Sequence, residues 1–477
     1  LNGSAKTGQL GGSFTLLSTQ AVDLNALADA LVAGKVNGKV AVTTQQGNLQ
    51  LGTGKTLQAQ EISLVAKGGA GQNDSNNGNI IIDGTVNASG QKGGDIRLTG
   101  SSSVVINGSL LATASTSDQR GGNTTIATQG TGDGSVNSNY GYQNINANNS
   151  GKISLGNSAV IDVHGGSAGG LANGTVHLRA PILHEGGLNI DVANANSFIG
   201  AREVAIEGFA TWNTNDSSSG NQHFDGIIDP LGMYGSDGKK LTAASNSNHS
   251  EFYGKTLAQF VQQSDIGFAG QFTGVNNLKA LAGIELVNSN VGINNGDVTL
   301  ASNWNLAAVD GSLKPMYRSQ TGVAPILTLK AANNINVNAS LSDGFVQNNN
   351  PFSFNTNLLI NGNRLSPTGT ELLIASLAGG DSSSFDLQAE KGSIRFNKTL
   401  QTSDVFWLYQ APLERPRNEN DSVSYTAQLA NGQPLPDWLT FDPVTRTVSG
   451  MKDFATGAVS IKVVATHSSA AEEDPPV

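Results

Sequence analysis

The sequence predicts an all-β chain, a parallel β-helix followed by a small β-sandwich. Three observations carry this. Glycine supplies 59 of 477 residues, well above the usual ~7%. Charged residues are 13%, about half the usual ~25%. Hydrophobic residues still make up 38%, but in short runs such as NIIID, SVVIN and AVIDV, each closed by turn-forming residues. A disordered chain would be poor in apolar residues and richer in charge.

The repeat unit is a small turn followed by an alternating strand. GNIIIDG from Gly78, GDIRLTG from Gly94, GNTTIAT from Gly122, GKISLGN from Gly151 and GTVHLRA from Gly174 align on their glycines. Their starts differ by 16, 28, 29 and 23 residues. A stacked β-coil tolerates such variation, because only the inward side chains must keep register and corners can swell into loops. Ile96, Leu98, Ile153, Leu155, Val176 and Leu178 are expected inside, and Arg97, Ser154, His177 and Arg179 outside. Asn and Thr stacked from coil to coil would add hydrogen bonds along the stack.

Two segments have helical rather than strand periodicity. AVDLNALADALVAG (Ala21–Gly34) places Leu24, Leu27, Ala28 and Leu31 on one face and ends at Gly34. KTLAQFVQQ (Lys255–Gln263) clusters Leu257, Phe260 and Val261. Both are expected to cover an edge of the stack, within insertions near 20–34 and 200–275. The strand pattern returns at Gly296–Leu306, Ile326–Gly344 and Ser384–Asn397, so the β-helix is expected over 1–400. Residues 401–417, rich in aromatics, proline and charge, then form a linker and entering strand. From 418 to 477, strand-like runs separated by NGQP and DPVTR form the sandwich.

Charge and composition exclude several functions. A net charge of −10 leaves no basic stripe to displace counterions from nucleic acid or to hold an anionic membrane surface. With zero cysteines there are no disulfides, thiolate nucleophiles or Cys-based metal sites. No apolar run reaches the roughly 18 residues of a membrane-spanning segment. The opening LNGSAKTGQL lacks the basic start and apolar stretch of a signal peptide, so a processed form or a fragment is expected.

Candidate chemistry is sparse. LGTGKT (Leu51–Thr56) ends like a phosphate loop, but Leu49 stands where the motif needs its first glycine. Asp162 and His164 share one side of a strand, His177 and Arg179 follow one coil later, and His184-Glu185 lies beyond. A metal or acid–base cluster can be drawn from these, although outward rows of a solenoid are normally solvated. A polysaccharide-cleaving pair would need two carboxylates about 5–9 Å apart. Asp225 and Asp229 in FDGIIDP are the candidates, with turn formation beside Gly226 and Pro230 as the simpler role. No catalytic residue, cofactor or firm metal site is assigned. Calcium is considered only through Asp421, Asp437 and Asp442.

Two resemblances add to this. The GGDIRLTG-type coils, ANSFIGAREVAIEGF (Ala195–Phe209), NGDVTLASNWNL, LTLKAANNINVNASLSDGF and LAGGDSSSFDLQAE together resemble the large filamentous-haemagglutinin-like proteins of Gram-negative bacteria. That resemblance implies a right-handed β-helix exported to the outer cell surface or the medium. The stretch LPDWLTFDPVTRTVSG (Leu435–Gly450) and the Val-rich run after it resemble the cadherin-like, dystroglycan-type and Ig-type modules of bacterial surface proteins. In such a module Trp438 and Phe441 are core, Asp442 starts a turn with Pro443, and Gly450 ends a strand. Ala465-Thr466-His467 departs from the alanine–threonine–aspartate expected there, which removes a calcium ligand. The sandwich is also expected to lack its last strand. An open strand edge invites pairing with another chain. The expectation is a non-enzymatic adhesin-type surface protein whose partners are a host or neighbouring-cell surface ligand or glycan. The alternatives are a filament subunit that self-associates by strand donation and a β-helical polysaccharide enzyme.

Overall fold

The computed structural model describes residues 3, 10–68, 74–117, 119–166, 172–214, 224–230, 257–263, 268–302, 304–306, 316–320, 322–339 and 341–342. Beyond these it describes strands and short turns at 359–360, 363–364, 371–374, 384–389, 394–396, 407–410, 422–429, 432–435, 439–443, 447–450 and 459–468. The described residues are mostly strand with few helices, an all-β chain. The chain divides into two compact units, Leu1–Asp225 with Gln263–Asn290 and Gly226–Gln262 with Val291–Val477.

The first unit holds three ladders of parallel strands. One runs through Ser13–Ser18, Lys39–Thr44, Glu61–Ala66, Asp95–Gly100, Asn123–Thr128, Gly174–Pro181, Ala201–Asn213 and Leu278–Asn288, each parallel to the next. The second stacks Leu49–Leu51, Asn79–Ile82, Ser103–Ile106, Lys152–Leu155 and Ile190–Val192. The third stacks Thr56–Gln58, Thr85–Asn87, Ser109–Leu111, Val160–Asp162 and Phe198–Ile199. From Lys39 to Ile199 the chain visits the ladders in turn, so each strand pairs with the strand three further along.

Register follows from burial, because a one-residue slip would turn every inward side chain outward. In the first ladder Val40, Ile62, Ile96, Thr124, Val176 and Val204 lie opposite one another in sequence. Val42, Leu64, Leu98, Ile126, Leu178 and Ile206 form the next row. Leu49, Ile80, Val104, Ile153 and Ile190 line the second ladder, and Leu57, Val86, Leu110 and Ile161 the third. All of these are buried. Five of the six inward residues expected from the sequence are among them, and the sixth, Leu155, is buried opposite Ile106. At about 1.5–3 kcal/mol for each large aliphatic, these rows dominate the stability of the unit.

The glycine alignment merged two registers. Gly94, Gly122 and Gly174 head strands of the first ladder, whereas Gly78 and Gly151 head strands of the second. Their uneven spacing therefore mixes steps between different ladders. Within the first ladder the glycines stack closely. A Cβ on Gly122 would overlap the carbonyl oxygen of Gly94, and one on Gly174 that of Gly122. Polar side chains form their own ladder outside: Asn123 Nδ2 donates to Asp95 Oδ1 at 3.1 Å, and Thr175 Oγ1 donates to Asn123 Oδ1 at 2.7 Å.

The first predicted helix forms over Leu24–Ala33. Asp23 caps it, accepting from the backbone N–H groups of Asn25 and Ala26. Leu24, Ala28 and Leu31 are buried against the first strands of the second and third ladders, while Leu27 is only half-buried. The start of the insertion expected near 200–275 is a ladder strand. Ala201–Asn213 is the longest strand of the first ladder, bonded on both sides.

In the second unit Ile227–Ile228, Val298–Leu300, Ile335–Val337 and Ile394–Phe396 are parallel, as are Ile326–Ala331 and Ser384–Ala389. The second predicted helix is a short one, Ala258–Gln262, with Leu257, Phe260 and Val261 buried. Two three-stranded antiparallel sheets follow. Glu371–Ile374, Val459–Ser468 and Ser422–Leu429 form one. Trp407–Gln410, Thr447–Gly450 and Leu439–Asp442 form the other. Strands from before residue 418 thus enter both.

Three substitutions separate these contributions. Leu98→Ala should cost about 2–5 kcal/mol in denaturant unfolding, through lost burial and a cavity. Gly122→Ala should cost about 1–3 kcal/mol, because backbone on the neighbouring strand must move. Arg97→Ala, exposed between two core positions, should stay within about 0.5 kcal/mol of the parent.

Candidate functional site

Asp162 and His164 are brought together as their spacing suggests, Nδ1 of His164 lying 2.7 Å from Oδ1 of Asp162. The histidine side chain is 49% exposed. His184 lies apart from them, 3.6 Å from Asp133, and Glu185 accepts from the backbone N–H of Ala147. Among the described residues no group of three or more His, Cys, Asp or Glu is placed to hold a metal ion.

His177 and Arg179 depart from the sequence expectation of a solvated outward row. Gly174–Pro181 is followed in the ladder by Ala201–Asn213 and Leu278–Asn288, and each brings a carboxylate to the same face. Glu207 sits directly opposite Arg179, and Glu285 opposite Thr211. Arg179 Nε donates to Glu207 Oε1 at 3.0 Å, and its Nη2 to Glu285 Oε2 at 2.7 Å. His177 Nε2 lies 2.9 Å from Glu207 Oε2, and Thr211 Oγ1 donates to Glu285 at 3.2 Å. The guanidinium also stacks on the ring of Phe209, 3.8 Å from its centroid. Glu207 is 1% exposed, Glu285 6% and Arg179 15%.

The electrostatics make this an anchored cluster. Burial pushes the Glu207 carboxyl up, but Arg179 and then His177 outweigh it, and the net shift is downward. Glu207 is therefore held ionised, the opposite of a general acid, whose carboxyl must be kept protonated near neutral pH. One arginine bridging two carboxylates with planar, directed hydrogen bonds ties three successive strands together. Sequence reasoning missed both partners. Their signal was a lone acid inside an apolar strand, in VAIEGFA and AGIELVN.

The remaining candidates fall elsewhere. Asp229 is fully buried and accepts from the Ser302 hydroxyl, a structural role at the end of Ile227–Ile228. Asp225 is half-buried and belongs to the other unit. Lys55 of LGTGKT pairs with Asp29 at 2.6 Å, and a three-residue strand rather than a helix follows it. Asp442 ends Leu439–Asp442 opposite Thr447, Gly450 ends Thr447–Gly450 opposite both Leu439 and Trp407, and Phe441 is half-buried. Asp421, Asp437 and Trp438 lie outside the described residues.

Comparison with known proteins gives one match. The family described as "Putative Ig domain" matches residues 392–475, earlier at its start than the expected module. No curated protein and no solved structure matches the chain.

Glu207 sets an acid limit on stability. Its folded pKa is lowered, so its contribution is complete above the ordinary glutamate range and is lost as pH falls below about 4.5. At pH 7, Glu207→Gln should cost about 3 kcal/mol, because it breaks a buried pair from one side. The gap between variant and parent should be constant above about pH 5 and narrow in melts taken below about pH 4.5.

Proposed function

We propose that the three ladders are the faces of a right-handed parallel β-helix. On this reading the protein is a non-enzymatic, adhesin-type component of a bacterial cell surface or of the surrounding medium, of the filamentous-haemagglutinin-like kind. One observation carries the proposal: in-register parallel stacking with a mainly aliphatic interior and rows of polar side chains outside. Such a stack presents many similar side chains at the ~4.8 Å strand spacing, a surface suited to extended contact with a glycan or another cell. The match to an Ig-type family over 392–475 supports a second, separate contact module of a type found in surface proteins. The buried, ionised Glu207 and the buried Asp229 support binding over polysaccharide cleavage. Among the described residues no helix is long and apolar enough to cross a membrane.

Two measurements test this reading. Protease added to intact native cells should remove the chain, or the chain should be found in the medium; recovery only after lysis would overturn the surface assignment. Incubation with a polysaccharide panel should give retention without new reducing ends. Release of reducing ends in proportion to added protein would establish the enzymatic alternative.

A further inference from the structure

Antiparallel bridges lie between strands of the parallel ladders. Between Asn123–Thr128 and Lys152–Leu155 the chain leaves the stack, with antiparallel bridges at Gly130–Ser150 and Val136–Gln143. The result is a hairpin, residues 133–144, reading DGSVNSNYGYQN. It is pinned rather than loose. Trp212 Nε1 donates to the Tyr140 carbonyl at 2.8 Å, and the Gln143 N–H donates to the Thr211 carbonyl at 2.8 Å. Tyr142, buried, meets the Trp212 ring edge-on at 5.8 Å. The tip is organised by its own side chains: Asn137 Oδ1 accepts from the N–H groups of Asn139 and Tyr140, while its Nδ2 donates to the Tyr142 hydroxyl. Gly141, at φ +71°, provides the left-handed turn.

This arrangement leaves Tyr140 half-buried, its ring parallel to that of Tyr142 within 2° at a centroid distance of 6.1 Å. Ser138 and Asn139 beside it are exposed. From Gly134 to Asn144 no residue carries a charge. Tyr, Ser, Gly and Asn are the residues that recognition loops favour, since tyrosine gives a large amphipathic contact at little entropic cost and the others give adaptable hydrogen bonds. We propose that this hairpin is a binding site for a neutral glycan. A sugar ring would lay its C–H face on Tyr140 and direct hydroxyls to Ser138 and Asn139. Size favours a sugar over a protein partner. A stable protein interface needs about 800 Å² on each side, far more than one partly covered ring and two short polar side chains provide. The proposal deepens the surface-adhesin reading and rests on it.

The test uses the full chain on an array of neutral and acidic glycans, with cell adhesion measured in parallel. Retention on neutral glycans is expected, weakened about tenfold or more by Tyr140→Ala and kept by Tyr140→Phe. Tyr140→Ala also removes the stacking on Tyr142 and should lower the melting temperature slightly, whereas Tyr140→Phe should match the parent. Ser138→Ala with Asn139→Ala, at two exposed positions, should weaken retention with the melt unchanged, and full retention there would overturn the site. A silent array, equal retention of Tyr140→Ala, or preference for acidic glycans would each overturn the site. Adhesion to cells that persists despite a silent array would overturn the glycan site while leaving the surface-adhesin reading standing. Adhesion that then depends on Tyr140 would assign the hairpin to a protein partner.

Discussion

The structure depends on one constraint: a buried, mostly aliphatic side chain must lie directly over another from one strand to the next in a parallel stack. No single short strand can bury its inward face. Val40, Ile62, Ile96, Thr124, Val176 and Val204 become a core only as a column. Backbone hydrogen bonds fix the ~4.8 Å spacing, at which branched side chains pack well against their neighbours. The glycines at Gly94, Gly122 and Gly174 serve the same constraint, since their missing Cβ atoms let each strand begin against the carbonyl of the one before. The helix Leu24–Ala33 serves it too, by covering the first strands of two ladders with its own Leu24, Ala28 and Leu31.

What lies outside the columns is freer, and there the chain places its polar chemistry. Asp95, Asn123 and Thr175 repeat the stacking logic with hydrogen bonds. Arg179 repeats it with charge, holding Glu207 on the next strand and Glu285 on the one beyond. A buried ion pair often gains little net energy, because desolvation offsets attraction. Its geometry is specific all the same: two carboxylates on one guanidinium fix the relative register of three strands where the pattern of apolar residues has become continuous rather than alternating. In Ala201–Asn213 almost every residue is buried, so alternation alone no longer distinguishes the two faces.

The all-β class and the inward positions were legible in the sequence, for a physical reason. Period-two alternation closed by small residues reports directly on which side chains are inside, and Ile96, Leu98, Ile153, Leu155, Val176 and Leu178 are all buried. The helix at Leu24–Ala33 was legible from its period and its terminal glycine. Which ladder a strand joins was not, because a glycine followed by β-branched residues looks alike at Gly78 and Gly94. The environment of His177 and Arg179 was not legible either. It depends on strands 28 and 106 residues away from Arg179, and only a lone glutamate in each apolar run hinted at them. The pinned hairpin at 133–144 carried no strong signal, since its order comes from Trp212, far along the chain.

The central claim is the in-register stack, and the chain's lack of cysteine makes it directly measurable. Ser63, Arg97 and Thr125 are successive outward positions of one column. Adjacent members, about 4.8 Å apart, lie within disulfide reach, whereas Ser63 and Thr125, about 9.6 Å apart, lie beyond it. Paired substitutions to cysteine, oxidised under native conditions and mapped by mass spectrometry, decide the matter. The stack requires near-complete bridging for Ser63→Cys with Arg97→Cys and for Arg97→Cys with Thr125→Cys, and none for Ser63→Cys with Thr125→Cys. Bridging of the outer pair at a comparable rate, or failure of both adjacent pairs, would contradict it.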